Sequence, residues 1–155
     1  MKKTYKEIQE EVIAKYSVTI NKESKCYGRT HAHVKERMVC KWKQAGSFES
    51  TFTLLHEVGH IMTTKSTMRR AEEEYYATVW AINRCQEYGL VIPEHTLHVY
   101  QRYILQEVAR GKRRGGTGYD IENLNLYWWV GSDKTIEEFK QELEPAWARC
   151  INPWI

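Results

Sequence analysis

Residues 52–62 place two histidines four positions apart, with a glutamate directly after the first of them. In an α-helix, residues i and i+4 lie one turn apart on the same face, so His56 and His60 can bind one ion together. Glu57 lies about 100° away around the helix axis, where it can reach a metal-bound water without being a ligand. Residues 50–62 contain no proline and no charge except Glu57, which favours one uninterrupted helix. This pattern is typical of zinc hydrolases and constrains the chain more than any other segment.

The surroundings of the two histidines favour a metal site on this segment, which we call the HExxH helix. Apolar walls exclude water and make the field of a metal ion effective. Gly59 costs roughly 1 kcal/mol in a helix interior relative to alanine, and its small size would let another element pack close to the metal. The alternative is a buried helix with two hydrogen-bonded histidines. The apolar residues that form one broad surface of the helix are Leu54, Leu55, Val58, Ile61 and Met62.

A catalytic zinc takes three protein ligands and keeps one open position for water, and a carboxylate from the next helix would complete this set. The pattern predicts that the next helix runs from about residue 68 to residue 88. Ser66 and Thr67 are its candidate N-caps, and Gly89 is its candidate C′ residue.

Three consecutive glutamates begin this next helix, and the helical stripes decide which of them faces inward. Glu74 shares its stripe with small or apolar residues, where a lone carboxylate is costly unless it is paired or bound to a metal. Glu73 lies on a mixed stripe, where Arg70 and Arg69, three and four residues earlier, can neutralise it. The helix macrodipole explains Glu72 and Glu73 better than it explains Glu74. Glu74 is therefore the preferred third ligand, and Glu73 is the alternative.

Two segments of the chain together resemble the ImmA/IrrE-like metallopeptidases, a family common on phages and other mobile elements. The pattern of that family is F-T-x-x-H-E-x-G-H, followed on the next helix by E-x-x-A-x-x-F/W-A. Residues 52–60 match the first part and residues 74–81 match the second. By the order of elements, the resemblance extends over roughly residues 5–110. Thr78 stands where related zincins often place Asp or Asn, so the support of the metal ligands is expected to differ here.

Carried over position by position, the resemblance implies that His56, His60 and Glu74 bind one Zn²⁺ per chain and that Glu57 is the catalytic base. A zinc-bound water, with its pKa lowered towards ~7, would attack a peptide carbonyl. Glu57 would take its proton and deliver it to the leaving amine. The resemblance also implies a protein or peptide substrate, since better-characterised relatives cleave DNA-binding repressors. The unranked candidates for a second electrophile are Tyr27, His98 and Tyr119.

The segments before the HExxH helix predict a helix followed by short strands. Thr4 and Glu7 fit a capping box. Residues 17–20 alternate briefly, and residues 26–42 alternate as a β-ribbon whose turn lies at residues 35–36. The predicted fold is therefore α+β, zincin-like and mainly helical, with a small antiparallel sheet or β-ribbon beside the HExxH helix. An edge strand in this position can bind an extended peptide by β-addition.

The segment after residue 92 predicts a third long helix and a basic loop. The helix should begin with Pro93 in its first turn and end at Gly111. Residues 110–118 then have the composition of a flexible loop, and the charges at residues 110–114 leave contact with nucleic acid or an acidic protein open. A solvated run of charges is the more usual interpretation of such a segment.

The bulk properties of the chain set further limits. A chain of 155 residues fits one domain, and we expect a single zincin-like domain over residues 1–155 with residues 112–155 as a C-terminal extension. The net charge of +3 is too small to argue for nucleic acid on its own. No apolar run approaches the ~20 residues of a membrane span, and the N-terminal segment has no apolar signal region. The chain is therefore expected to be cytoplasmic, with its four cysteines as thiols.

A weaker group of potential metal ligands lies on the predicted ribbon. A structural zinc would suit these residues, but their spacing matches no standard zinc finger, and strands often carry such residues singly. The histidines of the group could instead face the cleft and assist substrate binding. The four residues are Cys26, His31, His33 and Cys40.

A binding or regulatory protein of a phage or mobile element, built on a zincin scaffold, is the alternative function. Such a protein would retain zinc but act by docking, through the ribbon or the basic loop. The intact motif residues favour an enzyme, although fold and site alone do not establish turnover.

Overall fold

A computed structural model of the chain describes residues 2–22 and 29–114. Within these ranges the protein contains four helices and a three-stranded sheet, which confirms the predicted α+β class. The helices are α1 (Tyr5–Lys15), α2 (Phe48–Thr63), α3 (Arg70–Glu87) and α4 (Glu94–Arg113), and the strands are β1 (Thr19–Asn21), β2 (His31–His33) and β3 (Met38–Cys40). The predictions made for Cys26, Tyr27, Tyr119, Cys150 and the segment 115–155 lie outside the described residues.

The chain divides into two compact units. The first unit comprises Met1–Thr67 and Tyr76–Val91, and the second comprises Met68–Tyr75 and Ile92–Ile155. Helix α3 is continuous from Arg70 to Glu87 and contributes residues to both units. Within residues 2–22 and 29–114, no helix combines the length and the apolar character that crossing a membrane requires.

Helix α1 packs against α2, the HExxH helix. The predicted capping box is confirmed, because the Thr4 hydroxyl accepts from the backbone N–H of Glu7 while the Glu7 carboxylate accepts from the N–H of Thr4. On the buried side of α1, Nε2 of Gln9 donates to Thr51 Oγ1 and to the carbonyl of Ala45, both at 2.8 Å. These two bonds connect α1 to α2 and to the segment that precedes it.

The sheet has the strand order β1-β3-β2 and packs against α2. Strand β2 is antiparallel to β3 as predicted, and the turn between them includes residues 35–36, with the N–H of Arg37 donating to the carbonyl of Val34. The predicted antiparallel sheet is wrong for β1, which is parallel to β3, whereas the alternative prediction of a β-ribbon is confirmed by β2 and β3. Strand β1 pairs with the edge of β3 that faces away from β2. Because β1 is parallel to β3 and β2 is antiparallel to both, the chain reverses direction twice between β1 and β3.

Helix α2 is buried on nearly its whole circumference. Ser47 is its N-cap and accepts from the N–H of Ser50, and the indole N–H of Trp42 donates to the Ser50 carbonyl at 2.8 Å. Four of the five predicted apolar residues are buried, namely Leu54, Leu55, Val58 and Ile61. Met62 is the exception, since it is 43% exposed in the last turn, where its sulfur accepts from Arg37.

Helix α3 ends where the sequence predicts and begins later than predicted. Gly89 has a φ of 65°, and its N–H donates to the carbonyl of Gln86 while the N–H of Leu90 donates to that of Cys85. This pair of backbone hydrogen bonds is typical of a helix that ends at a C′ glycine. The predicted N-caps, Ser66 and Thr67, are wrong because the helix begins only at Arg70. Ion pairs between arginines and glutamates three residues apart stabilise this later first turn.

Helix α4 begins directly after Pro93 and continues to Arg113, so Gly111 does not end it. Among the described glycines, Gly89 has a positive φ and Gly111 does not. Gly111 keeps a helical backbone at a cost of roughly 1 kcal/mol relative to alanine. The prediction of a flexible basic loop is therefore wrong for residues 110–113. Within the helix, Arg110 is paired with the buried carboxylate of Glu107.

Candidate metal centre

Helix α2 holds both histidines of the HExxH motif in the interior. His56 is 4% exposed and His60 is 6% exposed. Their ring centroids are 4.8 Å apart, and the ring planes are nearly perpendicular at 88°. The spacing of one helical turn thus brings two imidazoles to one buried face, as the sequence predicts.

Helix α3 lies very close to α2 at Gly59. A Cβ atom built on Gly59 would lie 2.5 Å from the carbonyl oxygen of Ala77 and 3.0 Å from its Cα. No side chain can occupy that space without moving the backbone of α3. The expectation that Gly59 admits a closely packed neighbour is confirmed, and the neighbour is the backbone at Ala77.

Gly59→Ala is expected to destabilise the protein by about 1–3 kcal/mol, because the added methyl has no room between the two backbones. Alanine would otherwise favour the helix by roughly 1 kcal/mol, so the sign of the change reports the close approach. Gly46→Ala is the matched control, since a Cβ there meets the flexible end of Lys6 at 3.9 Å. Urea titration measures the free energy of unfolding of both variants. A Gly59→Ala variant as stable as the wild type would contradict the contact.

Thr78 lies one residue beyond this contact and is fully buried. Its Oγ1 is 3.3 Å from Nδ1 of His56. A hydroxyl that accepts from Nδ1–H holds the imidazole in the tautomer whose lone pair is on Nε2, the form that can bind a metal. Thr78 therefore contacts His56 through a hydroxyl, at the position where related zincins often have Asp or Asn.

The three glutamates at the start of α3 differ strongly in exposure. The side chain of Glu74 is 2% exposed, compared with 22% for Glu73 and 30% for Glu72. One ligand atom each of His56, His60 and Glu74 lie within 4.8 Å of one another. Among the described residues, neither Glu72 nor Glu73 belongs to this group.

Arg70 is a partner of Glu74 that the sequence reasoning missed. Its Nη2 is 2.7 Å from Oε1 of Glu74, and its Nη1 is 3.3 Å from Oε2 of Glu73. Burial lowers the pKa of the Arg70 guanidinium, but the Glu74 carboxylate and the Tyr103 hydroxyl raise it by more, so the net pKa is above its ordinary value. The i,i+4 spacing of Arg70 and Glu74 could have revealed this pair. A carboxylate has two oxygens, so one can accept from arginine while the other binds a metal.

The donor set of this group fits a zinc ion. Two imidazoles and one carboxylate are ligands that zinc accepts in catalytic sites, with bonds of about 2.0–2.2 Å. Ligand atoms around such an ion lie about 3–4 Å apart, so side-chain movements of about 1 Å would close the observed group around it. The buried apolar residues of α2 would keep that position dry.

Two further predicted site residues, Glu57 and His98, lie on α2 and α4. Glu57 is 8% exposed on α2, directly after His56. His98 lies on α4, where its Nε2 is 3.7 Å from Oε1 of Glu94 and its side chain is 37% exposed.

Comparison with protein-family profiles, with curated proteins and with solved structures returned no match to this chain.

Proposed function

We propose that this protein is a zinc-dependent metallopeptidase that hydrolyses peptide bonds in a protein substrate. The observation that carries the proposal is the convergence of His56, His60 and Glu74 at one buried point, with Glu57 on the same helix as the histidines. The zincin-like fold and the relationship to the ImmA/IrrE-like family belong to this proposal and rest on the motif resemblance.

Each residue of the site has a distinct task in this proposal. His56, His60 and Glu74 would hold the ion, with Thr78 fixing the ring of His56 and Arg70 holding the carboxylate of Glu74. The ion, when bound, supplies Lewis acidity and lowers the pKa of water. Glu57 accepts the proton of the attacking water and then protonates the leaving amine.

The sheet supports an extended peptide as the substrate. Among the described strands, which have the order β1-β3-β2, β2 lies at an edge, and it packs beside α2. An edge strand offers backbone donors and acceptors to which an extended segment can pair. A regulatory DNA-binding protein is the substrate type that the resemblance suggests.

The test combines metal analysis with a search for cleavage. The purified protein should contain zinc, and it should cut an unfolded protein or a DNA-binding repressor into fragments that mass spectrometry identifies. A chelator should stop the cleavage, and added zinc should restore it. Bound zinc without cleavage of any of these substrates would instead favour a docking protein on the same scaffold.

A further inference from the structure

A second group of metal-ligating side chains lies on the hairpin of β2 and β3. His31 pairs with Cys40 across the two antiparallel strands, and His33 follows two residues after His31. Residues opposite one another, and residues two apart on one strand, share a face of the sheet. One ligand atom each of His31, His33 and Cys40 accordingly lie within 4.8 Å of one another. We call these three residues the ribbon group.

The two imidazoles of the ribbon group have the spacing of ligands on one ion. Nε2 of His31 is 3.3 Å from Nε2 of His33, a distance at which one nitrogen donates a hydrogen bond to the other until an ion displaces that proton. A tetrahedral zinc with Zn–N bonds of about 2.0–2.1 Å holds two nitrogens about 3.3 Å apart, so the nitrogens need little movement.

The ring of His31 is also oriented for binding. Its Nδ1 is 2.9 Å from the carbonyl oxygen of Arg29, which can only accept a hydrogen bond. Nδ1 therefore carries the proton and the lone pair is on Nε2, the atom that faces His33. A backbone carbonyl in this role is a usual outer partner of a metal-binding histidine.

The hairpin itself keeps the three residues together. The turn is closed by the N–H of Arg37 donating to the Val34 carbonyl at 3.2 Å. At the other end, the hydroxyl of Thr30 donates to the carbonyl of Lys41 at 3.1 Å. The ligands therefore lie on a closed frame, with Cys40 buried and both histidines half-buried.

We propose that the ribbon group is a second metal site, separate from the His56/His60/Glu74 group. Two imidazoles and one thiolate are a donor set that selects zinc or another borderline to soft ion over magnesium or calcium. The ion joins β2 to β3 and fixes the edge strand of the sheet. The chain then binds about two zinc ions when both groups are filled.

Cobalt(II) distinguishes the two groups, because only the ribbon group contains sulfur. A thiolate ligand gives bound cobalt an intense near-ultraviolet charge-transfer band, which imidazole and carboxylate ligands do not give. Titration of the wild-type protein with cobalt, in a phosphine reductant, should produce this band. Cys40→Ala should abolish it and lower bound metal from about two ions to about one. Cys85→Ala, which removes another buried thiol, should leave the band unchanged.

Two further variants protect the test against loss of folding and against confusion of the groups. The double variant His31→Ala/His33→Ala changes half-buried residues and should weaken the band while circular dichroism stays unchanged. His60→Ala should keep the band, so a failure of the proposed peptidase centre does not affect this result. The absence of the band from the wild type, or its persistence in Cys40→Ala, would overturn the second site.

Discussion

Glu57→Gln is expected to abolish peptide hydrolysis while the protein keeps its wild-type metal content. Glutamine has nearly the same size as glutamate, so the buried side chain keeps its packing, but an amide does not accept the proton of the attacking water. General-base catalysis contributes about 10²–10⁴ to a rate, and the loss should be on this order. Cleavage rate and metal content are measured on the same preparation, the second by elemental analysis.

The matched control for Glu57→Gln lies on the same helix. Glu49→Gln makes the identical change in charge at an exposed position in the first turn of α2, and it should leave the cleavage rate within about twofold of the wild type. If Glu57→Gln retained turnover at the wild-type rate, Glu57 would not be the base. If it lost the metal, its task would be in binding and not in proton transfer.

The parts of the fold that sequence predicts are those encoded within one or two helical turns. The capping box of Thr4 and Glu7, the C′ role of Gly89 and the pairing of β2 with β3 each depend on residues close together in the chain. For the same reason the approximate course of α2 and α3 could be predicted from periodicity. The thiol state of Cys40 and Cys85 in the structure also agrees with the prediction.

The parts that sequence does not predict depend on long-range packing or on competing local signals. The parallel pairing of β1 with β3 joins strands that are not consecutive in the chain, and no local pattern specifies that choice. Gly111 could end or continue a helix, and the helix continues because the lost propensity is only about 1 kcal/mol. Gly59 indicated a close approach by its size, but only the structure identifies Ala77 as the partner.

The choice between Glu73 and Glu74 depends on the burial of each carboxylate and on its partners. Sequence favoured Glu74 because its neighbours are apolar, and the structure buries Glu74 and places it in the histidine group. The helical stripe predicts that Arg70 pairs with Glu73, whereas in the structure Arg70 contacts both carboxylates. Two neighbours can thus compensate the cost of burying the Glu74 carboxylate, namely Arg70 and a metal ion held with the imidazoles. A variant must separate the loss of the ion pair from the loss of a metal ligand.

Glu74→Gln is expected to lower metal affinity at the His56/His60/Glu74 group by more than the roughly 10–100-fold that loss of an outer partner of a ligand costs. The reason is that a neutral amide replaces the anionic ligand of the group. Cleavage activity should fall in parallel, because the ion is then bound by two imidazoles only. Competition with a chelator of known zinc affinity measures the change, and His60→Ala provides the reference for loss of a ligand from α2.

Glu73→Gln is the matched control for this experiment, because it removes the same charge from the preceding residue and from the same Arg70 partner. It should leave metal affinity within about threefold of the wild type. Thermal unfolding of the metal-free variants separates loss of a ligand from loss of the ion pair with Arg70, since the ion pair acts without metal. Equal metal affinities for Glu73→Gln and Glu74→Gln would remove Glu74 as the third ligand, whereas a loss confined to Glu73→Gln would transfer that role to Glu73.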